Sequence, residues 1–147
     1  MKSHFKPVVV EQLFNATIRD VWRAVTDINE MKFWYFDNIP DFEPRTGFST
    51  RFIVRSDNRS FTHLWTITDV IPNKKISYSW QYEEYSGAST AHFELTSQSN
   101  QTKLTVTCVG LETFPSDIPE FSHESCKAGW TYFINNRLKE YLENKAQ

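Results

Sequence analysis

Residues Lys75 to Tyr82 read Lys-Ile-Ser-Tyr-Ser-Trp-Gln-Tyr, which puts Ile76, Tyr78, Trp80 and Tyr82 on alternate positions. Side chains alternate across a strand, so this segment turns a row of large groups to one side and small or polar groups to the other. The same bias recurs along the chain, which makes the inner wall of the expected sheet unusually aromatic. Such a wall has two outcomes: it packs solid, or it lines a cavity.

The payload behind that wall is carried by few, bulky groups. Aromatic residues make up 16% of the 147 residues and all hydrophobic residues 39%, with Phe alone occurring 12 times. A chain of this length is expected to form one domain, 1–147, that needs neither disulfide nor metal to hold together. The formal net charge is −2, with acids and bases interspersed. No basic run is present, which argues against a nucleic-acid surface. No apolar run approaches the roughly 18 residues of a membrane-spanning helix, so no membrane insertion is expected. Met1 to Pro7 carries no secretory pattern. Cys108 and Cys126 are therefore read as free thiols in a reducing cytoplasm. The sequons at Asn15, Asn58 and Asn100 carry little weight beside that reading.

Val8 to Phe14 reads as a strand. Thr17-x-x-Asp20 ahead of Val21, Trp22 and Val25 resembles a capping box, and Asp27 is placed to cap a second short helix over Ile28 to Trp34. Asn38 to Gly47, with Pro40 and Pro44, is a loop. Phe48 to Val54, Phe61 to Ile71, Ile76 to Glu83, Ala91 to Leu95 and Leu104 to Cys108 follow as five strands. Polar turns separate them, Tyr85-Ser86-Gly87 and Ser97 to Gln101 among them. Short turns between successive strands mean an antiparallel meander. From about Pro119 the chain becomes helical, with Cys126, Trp130, Ile134 and Leu138 at four-residue steps and Phe133 and Tyr141 widening the stripe.

Several segments together resemble one family. Asn15 to Asp27, with Val21-Trp22-x-Ala24-x-Thr26-Asp27, is similar to its opening "V-W-x-A-x-T-D". Val70-Ile71-Pro72 followed by Ile76-x-Tyr78-x-Trp80 resembles its "V-x-P-x-x-x-L-x-Y-x-W". Thr102 to Thr107 resembles its "T-x-L-T-L-T" strand, and Gly129-Trp130 with Leu138 to Glu143 its closing "G-W … L-K-x-Y-L-E". The family is that of the activator of the ninety-kilodalton heat-shock-protein ATPase, within the START-like, birch-pollen-allergen-like superfamily. The resemblance implies an α+β helix-grip fold. A curved antiparallel sheet would wrap a long C-terminal helix, with two short helices after the first strand. It also implies a ligand cavity between sheet and helix. Thr17 stands where the family has Pro, and the family's Gly-Gly pair is reduced to Gly47.

In that fold Phe48, Phe52, Trp65, Tyr78, Trp80, Phe93, Val106 and Cys108 face a helix stripe containing Trp130 and Phe133. His63 shares strand parity with Trp65 and joins that wall. Trp34 joins it from the second helix, and with Tyr35 and Phe36 forms three adjacent rings, at least one of which is expected at the cavity mouth. An inward His63 beside Tyr78 would be an acid–base pair, although a hydrogen-bonded structural histidine is the commoner outcome. His123-Glu124-x-Cys126 matches no established metal spacing, so no metal is expected. Nor does any motif call for a cofactor, and no catalytic constellation is complete. Three functions follow as expectations. One is a binding module for a small apolar or aromatic ligand. Another is a cyclase- or hydratase-like enzyme using the same cavity. The last is a chaperone co-factor acting through protein–protein contacts.

Overall fold

The computed structural model describes residues 6–145. Six strands, β1 (Val8–Phe14), β2 (Ser49–Ser56), β3 (Arg59–Ile71), β4 (Lys75–Tyr82), β5 (Tyr85–Gln98) and β6 (Gln101–Val109), form one antiparallel sheet in the order β1-β6-β5-β4-β3-β2. The first strand thus closes the far edge by pairing with the last, Val8 opposite Cys108 and Phe14 opposite Thr102. This is the curved antiparallel sheet of a helix-grip fold, and it packs with the C-terminal helix and the two short helices around one shared core.

Local chemistry places the short helices. In α1 (Ile18–Thr26) the Thr17 hydroxyl accepts from Asp20 N at 3.2 Å, and in α2 (Ile28–Trp34) the Asp27 carboxylate accepts from Asn29 N at 2.9 Å. Each cap satisfies a backbone donor that the first turn leaves without an intrahelical partner. Trp34 Nε1 donates to Ala24 O at 2.8 Å, which ties the end of α2 back to α1.

The turns differ from expectation at one place. Tyr85-Ser86-Gly87 is not a turn but the start of β5, and the chain reverses at Glu83-Glu84 instead. The reason lies outside the hairpin. Gly87 has φ +111°, and a Cβ there would sit 2.6 Å from both Phe114 Cδ1 and Thr113 O. The glycine lets the segment after β6 lie directly on the strand.

Register shifts interrupt the ladder between Ile67 and Asp69 on β3 and between Trp80 and Tyr82 on β4. Bulges of this kind bend a strand and increase its twist, and they give the sheet the curvature needed to wrap a helix.

The C-terminal helix runs without a break through α3 (His123–Trp130), a π-wound segment (Thr131–Leu138) and α4 (Lys139–Lys145). Its winding explains the stripe. In a pure α-helix each four-residue step overshoots a full turn by about 40°, so five residues spaced by four would spiral off one face. The π segment, closed by i→i+5 bonds, turns less per residue and drifts the other way. Trp130, Ile134, Leu138 and Leu142 consequently all remain buried. Among the described residues no helix is long and apolar enough to cross a membrane.

Candidate functional site

The groove between sheet and helix is divided into a filled half and a hollow half. The filling comes from α2 and the loop beyond it. Tyr35, at the C-terminal end of α2, leaves helical geometry with φ −106° and ψ −143°. That change of direction turns Trp34 and Tyr35 into the core and leaves Phe36 half-buried at the edge of the cavity, where one of the three rings is expected. Trp34 and Tyr35 stack at 4.4 Å, Tyr35 lies 5.3 Å from Trp65, and Phe36 lies 5.3 Å from Phe52. Phe42, further along the loop, meets Tyr78 at 5.8 Å and Phe48 at 6.1 Å. Neighbouring Phe33 is the ring left in water, 63% exposed and stacked on Tyr141.

Trp34, Phe52, Trp65, Tyr78, Phe93 and Val106 are buried in this packed region, and Phe48 is half-buried at its edge; none of the seven borders the hollow. Tyr35 and Tyr78 join their hydroxyls at 2.8 Å. Burial raises the pKa of both phenols, so the pair is neutral. The Trp65 indole N–H is buried there with no hydrogen-bond partner among the described residues.

The hollow half is a partly enclosed cavity of about 160 Å³. The strands contribute His63 from β3, Trp80 and Tyr82 from β4, Ser89 from β5 and Cys108 from β6. Leu111, Phe114 and Glu120 come from the segment between β6 and α3. Cys126, Gly129, Trp130 and Phe133 come from the helix, and Phe36 comes from the segment after α2. Five of the residues expected from sequence thus meet here: His63, Trp80, Cys108, Trp130 and Phe133. Trp80 and Phe93 touch Trp130 directly, at ring separations of 5.5 and 5.7 Å. Phe36 and Phe133 meet edge to face at 4.9 Å and border both the cavity and a shallow outer groove that also holds Lys32, Asn38 and Arg137.

Leu111, Phe114 and Glu120 escaped the sequence reading because the segment that carries them has no strand or helix periodicity. The one available signal was Gly87, whose missing side chain admits that segment.

Polar groups in the cavity are few and neutral, apart from Glu120. His63 is 4% exposed, and its Nδ1 donates to Phe61 O at 2.9 Å. Burial lowers its pKa to about 4, so the ring is neutral at pH 7 with Nε2 as its acceptor. His63 stands opposite Tyr82 in the β3–β4 register, whereas Tyr78 is opposite Ile67; His63 is thus a hydrogen-bonded buried histidine, the commoner of the two outcomes open from sequence, and not paired with Tyr78. Trp80 Nε1 donates to the Tyr82 hydroxyl at 2.7 Å, and Ser89 Oγ donates to Trp80 O at 3.0 Å. Burial pushes the Cys108 thiol up to about 11 and the Cys126 thiol up to about 12, so neither is a thiolate at neutral pH.

Glu120 differs from all of these. Its Oε2 accepts from Ser56 Oγ at 2.9 Å and lies 3.6 Å from Arg59 Nη1, whereas its Oε1 is buried with no partner among the described residues. Cys126 Sγ lies 3.7 Å from Glu120 O, and His123 Nε2 lies 3.3 Å from Pro7 O. Among the described residues no group of three or more His, Cys, Asp or Glu side chains is placed to hold a metal ion.

Solved structures share this architecture. Protein MLL2253 from Mesorhizobium loti is 26% identical, with 95% of this chain and 98% of that one aligned at a TM-score of 0.75. BH1534 from Bacillus halodurans is 25% identical, with 94% and 97% aligned at 0.71. DynU16, a protein of the dynemicin biosynthetic locus, is 27% identical at 0.74; 96% of this chain aligns with 48% of that one. No protein of curated function matches. The family model described as "Activator of Hsp90 ATPase homolog 1-like protein" matches residues 15–143. That span takes in both short helices, β2 to β6 and nearly all of the C-terminal helix, and the chain belongs to this family.

Proposed function

We propose that this chain is a binding module for a small, largely apolar molecule held between the sheet and the C-terminal helix. The observation that carries the reading is the cavity of about 160 Å³ walled mainly by rings and thiols. Protein interiors rarely leave such a space. Cavities of about 150 Å³ lined by apolar groups take up molecules the size of benzene. The volume is well short of the roughly 300–1,000 Å³ typical of sites for drug-sized ligands. A single ring therefore fits, and a fused polycycle requires the Phe36 and Phe133 rings to move.

Binding is favoured over catalysis by the state of the reactive groups. Both thiols are held protonated, and His63 is neutral with no hydrogen bond to a nucleophile. A covalent or acid–base mechanism needs an activated partner, and among the described residues the cavity groups are not arranged as one. The likeness to DynU16, a protein of a biosynthetic locus, supports a small-molecule role more than a chaperone contact. Two free thiols suit a reducing cytoplasm.

The test is native mass spectrometry of freshly purified protein, paired with thermal melts in toluene. A bound small molecule, or stabilisation approaching about 2.7 kcal/mol at a hundredfold excess over Kd, is expected. Cys126→Phe, which puts a ring into the cavity, should abolish both. A wild-type melt indifferent to toluene, together with an empty mass spectrum, sinks the reading.

A further inference from the structure

Gly129 is the residue of the cavity wall that the fold does not call for. It lies inside α3, and glycine is the least favourable helix residue apart from proline. Its φ is not in the left-handed region, and a Cβ there would meet nothing within 4 Å. Gly87 and Gly110 differ, since a Cβ on either would sit 2.6 Å from a backbone oxygen. Neither backbone conformation nor a close neighbour therefore requires the missing side chain at Gly129.

Its place on the helix gives the absence a use. Cys126, Gly129, Trp130 and Phe133 follow one another at three- and four-residue spacings, and all four line the cavity. Gly129 thus leaves a gap between Cys126 and Phe133 on the cavity face of the helix. Of all the residues lining the cavity, it is also the only exposed one; the others are buried or half-buried. The cavity meets water at this gap.

Volume and polarity then narrow the ligand. About 160 Å³ holds about one ring, so a longer molecule has to leave through the gap. A slot the width of one missing side chain passes an unbranched chain. Polar groups inside are largely committed to one another: Trp80 Nε1 donates to the Tyr82 hydroxyl, Ser89 Oγ to Trp80 O, and His63 Nδ1 to Phe61 O. A polar end on the ligand is better satisfied in water than among these walls.

Resting on the reading of the cavity as a ligand site, we infer that Gly129 forms its mouth and sets its specificity. The ligand class is a single-ring head on a slim, unbranched tail with a polar end. The ring lies inside, and the tail passes Gly129 into water.

Isothermal titration calorimetry of the full chain with toluene and with phenylbutanol, a ring on a straight chain ending in a hydroxyl, tests this. Wild-type protein is expected to bind phenylbutanol at least as tightly as toluene, because the tail covers apolar wall at the gap and keeps its hydroxyl in water. Gly129→Val, whose branch at Cβ holds it at the rim, is expected to weaken phenylbutanol by about tenfold or more, the scale of an overfilled site. Toluene, which lies wholly inside, is expected to bind the variant unchanged. Should the valine variant not fold, Gly129→Gln, a good helix former, covers the same gap and takes its place. Gly129→Ala is expected to melt a few degrees higher than wild type, since the helix gains a better former. A lower melting temperature would show that the helix itself needs the glycine, and overturns the inference. Toluene bound with phenylbutanol excluded from the wild type overturns the passage of the tail and leaves the cavity reading intact. Phenylbutanol binding that survives the valine or glutamine variant, or an equal loss of both ligands, overturns the role of Gly129 as the mouth. No binding of either ligand by the wild type overturns this inference and the cavity reading together.

Discussion

Two residue pairings carry measurable consequences. The Tyr35–Tyr78 hydroxyl pair is buried, and among the described residues neither hydroxyl has another hydrogen-bond partner. Tyr78→Phe leaves the Tyr35 hydroxyl buried and unpaired, at a cost of about 1–3 kcal/mol, and Tyr35→Phe does the same in reverse. Removing both hydroxyls together leaves only shape, so the double Phe variant should be more stable than either single one. Urea midpoints of the four proteins close that double-mutant cycle, and additive losses would show that the hydroxyls act independently. His63 makes stability depend on pH. Its folded pKa, about 4, lies below the ordinary value of 6.5. Above pH 6.5 both folded and unfolded forms are neutral and the residue contributes no pH dependence. As pH falls from 6.5 towards 4, the unfolded chain takes up a proton that the folded chain refuses, and stability declines by about 3 kcal/mol. His63→Phe should remove that part of the acid sensitivity, read as the difference between the two proteins' stability–pH curves over this window. Parallel curves would mean that His63 is not buried in its neutral form.

Among the elements, β5 and the segment after β6 depend on each other. Thr113 Oγ1 accepts from Ala88 N at 2.8 Å, and Gly87 leaves room for Thr113 O and Phe114. Gly87→Ala meets both a left-handed φ and a backbone oxygen that cannot yield, so a loss of about 2 kcal/mol or more is expected. Gly47→Ala is the control. It shares a positive φ, +93°, but its Cβ would meet nothing within 4 Å. Only the backbone term remains there, about 1–2 kcal/mol. Equal losses for the two variants would show that contact with Thr113 and Phe114 is immaterial. Because Phe114 borders the cavity, Gly87→Ala should also weaken ligand uptake, while Gly47→Ala should not. The C-terminal helix shows how far sequence spacing reaches at this scale. The four-residue stripe correctly marks Trp130, Ile134 and Leu138 as inward. It is also the trace of the π segment, since a uniform α-helix would carry Leu142 off that face.

For the whole molecule, the alternation of Ile76, Tyr78, Trp80 and Tyr82, the caps at Thr17 and Asp27 and the helix stripe were enough to read the strands, the short helices and the grip. These are local properties: which face a side chain takes, and which backbone donors need a cap, depend on neighbours a few residues away. Whether the grip is empty was not legible in the same way. Alternation assigns Tyr78 and Trp80 to one face without saying what meets each ring. In the folded chain Tyr78 meets Tyr35 and Phe42, brought in by the loop after α2, whereas Trp80 borders open space. Glu120 is likewise held by Ser56 and Arg59, from the β2–β3 hairpin far away in sequence. Alternation along the strands is enough to build the wall of rings. Which rings are covered and which border the hollow follows instead from close packing among segments far apart in sequence, whose directions are set by irregular backbone.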